Sequence, residues 1–482
     1  MSTSAACFPP RPWGRVAWCI FCLIFCLALE AAQGQSSQPS TAPHPEGCDR
    51  RELVDGPPPA APLKDWVDQI KNPLPGFTWG ADLRLREVYI NNAINLDKHN
   101  PDHEIHWQRQ RARWWTTIAP VEDVEFNMRI AWEGKHFDKP KSFENWQPTS
   151  TVFDLLNLKL SRIGGSPFTI QAGRQELMLG DRWLVMDGTP LDGSSTLYFD
   201  AIRLIGDFES IDTRFELIYL ENDAEQKNWF RPLCDRDLYV VEQDETGVIA
   251  WLTNTSLPRT QLDAYYIYKK GTQATPRGYD AEIHTFGFMG EHGFADRWKF
   301  RGNLAGQFGR KNDATLCALG SLNRLSYELK DAWNSRLRLD YEYLSGDDPD
   351  TETNEAFDIL WGRWPRFSEM YIYNNIGEGG RIGDMTNLHR IGFGWTGNPS
   401  KKMELCADYH LLFADQNTYA GTSGFSNSGC FRGQLLTALM KYQFNRFLSG
   451  HLVSEFFFPG DYYSNERNDP ACFLRAEIMI TW

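Results

Sequence analysis

Thirteen arginines stand in segments that otherwise alternate polar and apolar residues: Arg84, Arg86, Arg109, Arg111, Arg113, Arg129, Arg203, Arg214, Arg301, Arg336, Arg338, Arg390 and Arg475. A guanidinium is permanently charged and offers its N–H donors as a planar fork that fits carboxylate or phosphate oxygens. Along a channel, a row of such groups lowers the barrier for anions to enter, and several weak sites let them leave again. The competing reading pairs these arginines with Asp82, Glu125, Glu133, Asp340, Glu342 and Glu477, so that they only fill a wall. Six of the arginines fall in three successive segments while the acids are dispersed, which favours anion conduction.

Other chemistry is thinly represented. No Ser-His-Asp set or glycine-rich phosphate loop presents itself by spacing. Neither an enzyme nor a cofactor or metal centre is expected. Asp347, Asp348, Asp350 and Glu352 read as a solvated acidic loop; the alternative is a calcium site or a divalent bridge to lipopolysaccharide. His389 and His410 stand alone and are expected to form hydrogen bonds in the lumen. The net charge of -14 argues against nucleic acid as a partner.

The element that must position the arginines is a strand. In the last segment, Leu474, Ala476, Ile478, Ile480 and Trp482 share one face, and Arg475, Glu477 and Thr481 share the other. Leu337, Leu339, Tyr341 and Tyr343 likewise oppose Arg336, Arg338, Asp340 and Glu342. An Arg or Lys facing lipid near the midplane costs roughly 2–4 kcal/mol, so the charged faces belong to a water-filled lumen. A mean hydropathy of -0.47 is no obstacle, because half of each barrel strand faces water.

Such segments recur at 77–90, 106–119, 123–136, 151–162, 167–177, 197–207, 211–221, 247–254, 259–270, 279–290, 295–309, 319–329, 333–345, 386–396, 402–413, 431–443, 448–458 and 472–482. Those at 151–162 and 279–290 alternate less cleanly, and that at 247–254 is weak. Short connections near Val121, Gly164, Glu209, Leu257, Phe294, Asp331, Pro399 and Asn445 alternate with long ones, among them 178–196, 310–318 and 346–385. The expected fold is all-β: a transmembrane antiparallel barrel of about eighteen strands, with short periplasmic turns and long extracellular loops.

Residues 1–34 read as a cleaved secretory signal. Arg11 and Arg15 precede a fourteen-residue apolar run, and Ala32-Gln33-Gly34 forms a small-x-small cleavage site. Residues 35–76 are a flexible Pro- and Ser-rich periplasmic lead, with a helical turn at 65–70, and 77–482 is the barrel. Six cysteines remain after cleavage. Cys234, Cys317, Cys430 and Cys472 allow three connectivities, of which Cys430 with Cys472 and Cys234 with Cys317 is the expected one, with unpaired thiols as the alternative; Cys48 and Cys406 read as thiols.

Gly173-Arg174-Gln175-Glu176-Leu177, Gly180-Asp181-Arg182-Trp183-Leu184 and Phe199-Asp200-Ala201-Ile202-Arg203-Leu204 together resemble the signature stretch of the alginate export family of outer-membrane proteins. The resemblance implies an eighteen-stranded barrel with an arginine-rich, acid-buffered pore for anionic polymer. It gives Arg174, Asp200 and Arg203 a pore role, or alternatively the role of a salt-bridge cluster anchoring the third long loop. Two features depart from the family. The tract at 188–193 lacks the expected Trp and Arg, and the turn near Asn445 is too short to plug a pore from the periplasm.

The expected function is an outer-membrane channel, of Gram-negative type, for carboxylated sugars or an anionic polysaccharide such as alginate. Its partners would be outer-membrane lipid, lipopolysaccharide and periplasmic export proteins. The rivals are a general anion-preferring porin, a barrel enzyme acting on lipid or surface polymer, and a secreted β-rich binding protein.

Overall fold

The computed structural model describes residues 66–140, 146–186, 198–225, 241–276, 278–362, 366–371 and 385–482, with no side chains for 146–150. The expected signal sequence, most of the lead, the 188–193 tract, Cys48 and Cys234 lie outside the described residues. Eighteen long strands build the molecule. They are β1 (Phe77–Asn91), β2 (Glu104–Val121), β3 (Val124–Lys139), β4 (Trp146–Leu160), β5 (Phe168–Gln175), β6 (Phe199–Phe208), β7 (Thr213–Asn222), β8 (Gln243–Asn254) and β9 (Thr260–Gln273). They continue as β10 (Ala281–Phe294), β11 (Trp298–Lys311), β12 (Ala314–Glu328), β13 (Arg336–Leu344), β14 (Leu388–Ser400), β15 (Met403–Phe413), β16 (Phe431–Gln443), β17 (Leu448–Pro459) and β18 (Ala471–Thr481). A short helix, α1 (Trp66–Lys71), precedes them.

Each strand pairs antiparallel with the next, and β1 pairs with β18 from Asp82 opposite Thr481 to Asn91 opposite Cys472. The sheet closes, so its backbone groups are satisfied without an open edge, as lipid requires. All eighteen expected segments match these strands in order.

The facing of the strands follows their alternation. Leu337, Leu339, Ile478 and Ile480 are 44, 43, 48 and 45% exposed, whereas Arg338, Asp340, Arg475 and Glu477 are buried inside. On β1 the outward row runs Phe77, Trp79, Ala81, Leu83, Leu85 and then Glu87. The apolar part spans Phe77 to Leu85, close to the roughly 9–11 residues that carry a tilted strand across the hydrocarbon.

Several expectations need correction. Residues 310–318 are not a long loop: β11 and β12 run on until only Asn312 and Asp313 separate them. Leu316 and Ala318 keep the inward alternation, and Asn312 takes a φ of 51°, a left-handed turn conformation that Asn tolerates. The short–long rhythm therefore breaks once. Cys317 and Cys472 then lie within strands and are free thiols, while Cys406 and Cys430 are disulfide-bonded. Neither the Cys430–Cys472 nor the Cys234–Cys317 bridge forms. The uneven pattern of β4 comes from irregular pairing with β3, where Asp154 is an extra residue opposite Arg129. Such a bulge re-aims a side chain, and here it turns a carboxylate inward.

The hydrophobic core lies inside the barrel. Inward residues of β7 to β11, including Ile218, Ile249, Trp251, Ile267 and Ile283, pack against Leu177, Trp183, Leu184, Phe357, Leu360 and Trp361 from two connections. Those connections, between β5 and β6 and between β13 and β14, fold back into the lumen. Within the second, the two-residue strand Thr353–Asn354 pairs in parallel with Thr315 and Leu316 of β12. The weak alternation of β8 and β10 has the same origin, since their inner faces meet apolar side chains instead of water.

Candidate functional site in the barrel lumen

The register of β1 to β3 stacks cations on one wall. Arg84 lies directly opposite Arg111 and Arg86 opposite Arg109. Lys135 continues the row beyond Arg109. Like charges placed opposite one another are unfavourable, so carboxylates must accompany them. Glu133 stands opposite Arg111 and Glu477 opposite Arg86. Arg86 Nε donates to Glu477 at 2.7 Å, and Arg113 Nε donates to Asp82 at 2.9 Å. Barrel closure brings Arg475 opposite Val88, on the same wall, where its Nε lies 3.0 Å from His451 Nε2 and its Nη1 3.5 Å from Glu369.

Counted together, Arg84, Arg86, Arg109, Arg111, Arg113, Lys135 and Arg475 set seven cations against the four carboxylates Asp82, Glu133, Glu369 and Glu477. The wall is net cationic in a protein whose overall charge is -14. Arg129 does not add to this excess, because Asp154, at 2.9 Å, and Glu176 both hold it.

A second basic cluster lines a cavity on β12 to β15. Arg324 donates to Asp340 at 2.7 Å, Arg338 to Asp408 at 2.5 Å and Arg390 to Glu342 at 2.9 Å. Arg366, Phe367 and His410 complete the cavity. Phe367 lies against both the Arg390 guanidinium, 4.7 Å away, and the His410 ring, 5.4 Å away.

The connection carrying Arg366 and Phe367 is anchored in the lumen at two places, residues 357–362 and 366–371. At one end, Asp358 accepts from Lys311 at 2.9 Å and from the Tyr279 hydroxyl at 2.7 Å. Burial opposes ionisation of this carboxyl, but Lys311, Lys269 and the Tyr279 hydroxyl override it and hold Asp358 well below the usual carboxylate range. Trp361 Nε1 donates to Glu245 at 3.0 Å, and Trp183 of the other infolded connection stacks on Phe357 with centroids 5.3 Å apart. At the far end, Glu455 of β17 accepts from Ser368 Oγ at 2.5 Å, Glu369 N at 3.0 Å and Met370 N at 3.1 Å. The described residues of this connection therefore touch the β8–β11 wall at one place and β17 and β18 at the other, between the two basic clusters.

Of the arginines singled out by spacing, Arg84, Arg86, Arg109, Arg111, Arg113 and Arg475 converge on the first wall, and Arg338 and Arg390 on the second cavity. Arg203 faces inward but is held by Glu216 at 2.7 Å. Arg214 binds Glu216 and Asp207, Arg301 binds Glu291, and Arg336 sits near the short-turn end of the barrel with Glu328 at 3.4 Å. These four and Arg129 are held by acids other than those the wall-filling reading named; Asp82, Glu133, Glu477, Asp340 and Glu342 stand instead beside Arg113, Arg84, Arg86, Arg324 and Arg390.

Arg174 and Asp200 require a correction. Their register places them in the outward row with Leu158, Ala172 and Ile202, and Ile202 is 57% exposed. Arg174 bonds Asp200 at 2.9 Å and the Phe153 carbonyl at 2.8 Å, and its guanidinium lies 3.6 Å from the Tyr198 ring. The pair braces the start of β6, as the salt-bridge alternative holds, and does not line the pore. His389 also faces outward, bonded to Tyr341 and Asp415, while His410 faces the lumen. Asp347 and Asp348 are engaged with Glu355 and its backbone.

Spacing missed the infolded connections. The available signal was compositional: Phe357-Asp358-Ile359-Leu360-Trp361 and Trp183-Leu184-Val185-Met186 are too apolar for solvated loops.

Known structures share the architecture. The crystal structure of Acinetobacter baumannii OccAB2 is similar over 84% of this chain and 98% of its own, with 12% identity and a TM-score of 0.53. Pseudomonas aeruginosa OccK2 (OpdF) is similar over 84% and 98%, with 10% identity and a TM-score of 0.52. The same protein in complex with glucuronate is similar over 84% and 97%, with 10% identity and a TM-score of 0.51. At these identities the likeness shows the fold. No curated protein sequence matches the chain. Residues 78–474 match the family described as alginate export. With a closed eighteen-stranded barrel and a match over most of its length, the chain belongs to the alginate export family of outer-membrane β-barrel channels.

Proposed function

We propose that the protein is a selective channel for carboxylated sugars or short anionic polysaccharide, which move down their gradient past the arginine-rich wall without chemical change. The observation that carries this reading is the excess of seven cations over four carboxylates on the β1–β3 and β18 wall. Each of these carboxylates lies beside an arginine, which leaves each cationic contact weak enough to release a solute. The crossing segment supports selectivity over general porin behaviour, because it narrows the path and offers Phe367 as a surface for a sugar ring beside guanidinium groups. A barrel of similar fold, OccK2, is known in complex with glucuronate, a sugar acid of this class. On this reading residues 1–34 are a cleaved signal, 35–76 a periplasmic lead, the short turns face the periplasm, and the barrel lies in a Gram-negative outer membrane.

The test is single-channel recording in a planar bilayer with glucuronate oligomers or neutral sugars of equal size added. Charged oligomers should block the chloride current at concentrations where neutral ones do not. Equal block by both would overturn the proposal.

A further inference from the structure

We propose that the outer surface of the barrel, above the apolar band of β1 to β3, carries a zinc-type metal site built from His106, His136 and Asp138, with Glu87 orienting His106. In the outward register, Glu87, Gln108 and His136 form one cross-strand row, and Tyr89 and His106 belong to the next. Between these rows the pairing of β2 with β3 shifts, so that His106 pairs with Lys139 and Trp107 with Phe137. Asp138 is the extra residue, and the bulge sets its carboxylate beside both imidazoles.

Three contacts give the cluster the form of a ligand set. Glu87 Oε1 lies 2.5 Å from His106 Nε2, so it accepts the N–H there and leaves the Nδ1 lone pair free to bind an ion. A carboxylate on the far nitrogen is the usual support of a metal-bound imidazole, fixing its tautomer and ring orientation. His106 Nδ1 then lies 3.5 Å from Asp138 Oδ2, and His136 Nδ1 lies 4.0 Å from Asp138 Oδ1. His136 Nδ1 is buried and makes no hydrogen bond. Glu87, His106 and Asp138 each present a ligand atom within 4.8 Å of the others.

Tetrahedral zinc with bonds of about 2.0–2.2 Å needs donors roughly 3.3–3.6 Å apart; His106 and Asp138 already stand at that spacing, and the His136 ring has to turn toward them to complete the set. Two imidazoles and one carboxylate suit zinc or copper, whereas calcium takes six to eight oxygens and is a poor fit. The fourth position is open toward the outside. The site ties β1, β2 and β3 together where they leave the hydrocarbon.

The experiment uses the mature barrel folded in detergent, stripped of metal and dialysed against zinc. Wild type should retain one zinc per barrel, and excess calcium should not displace it. His136→Gln with Asp138→Asn should abolish this binding. Glu87→Gln, which leaves every ligand in place, should weaken it by about 10–100-fold. Heat-modifiable mobility on a denaturing gel checks that each variant is folded. A second measurement needs no variant: copper added to wild type should give an electron paramagnetic resonance spectrum with coupling to two imidazole nitrogens. Equal zinc retention by wild type and the double variant, or a copper spectrum without nitrogen coupling, would overturn the site.

Discussion

Replacing Arg109 and Arg111 together by Gln removes two of the seven cations on the β1–β3 and β18 wall and leaves its four carboxylates in place. The fold should tolerate the change. Arg109 opposes Arg86 and Arg111 opposes Arg84, so each substitution relieves a like-charge contact, and the glutamine in place of Arg111 can still donate to Glu133. One charge acting on an ion about 8 Å away through water contributes about 0.5 kcal/mol. At 0.1 M salt the Debye length is about 10 Å, which roughly halves that figure. Two charges then weaken anion occupancy by about 0.5 kcal/mol and favour cations by the same amount, so the chloride-to-potassium permeability ratio should fall about five-fold. The assay is the reversal potential across a planar bilayer under a potassium chloride gradient, repeated at lower salt, where the shift should grow. An unchanged ratio in a variant that keeps heat-modifiable mobility, or a shift toward anions, would refute the reasoning.

Three further outcomes are expected. Glu455→Ala removes the acceptor of three hydrogen bonds that hold the crossing segment, so single-channel conductance should rise and flicker; a conductance equal to wild type would show that the segment is held elsewhere. Spin labels at 337, 339, 478 and 480 should be reached by a lipid-soluble quencher and shielded from an aqueous one, and the reverse pattern would mean a register one residue out. The lowered Asp358 pKa gives stability that is fully present above the ordinary carboxylate pKa of about 4 and is lost only as pH falls below that toward the folded value. Conductance should therefore not respond to this contact between pH 7 and pH 4, whereas Asp358→Asn should loosen the segment throughout; loosening of wild type that titrates near pH 6 and is absent from Asp358→Asn would contradict this assignment.

The alternation of Arg336 to Tyr343 and of Leu474 to Trp482 decided by itself that these residues form strands with one lipid face and one wet face. The physical reason is local: side chains alternate along a strand, and a charge cannot rest in hydrocarbon. Strand order and closure followed, since antiparallel neighbours in sequence are neighbours in space, and Arg475 duly joins the wall of Arg84 and Arg111. Spacing could not say which arginine meets which acid. Arg113 and Asp82 are far apart in sequence and become partners only through register. Register also turned Arg174 and Asp200 outward although their motif was plain in the sequence. The infolded residues 357–362 and 366–371 were decided by tertiary structure alone. The apolar side chains of 357–361 are buried against β8 to β11, and the backbone of Glu369 and Met370 is fixed by Glu455, both of which exist only once the barrel has closed.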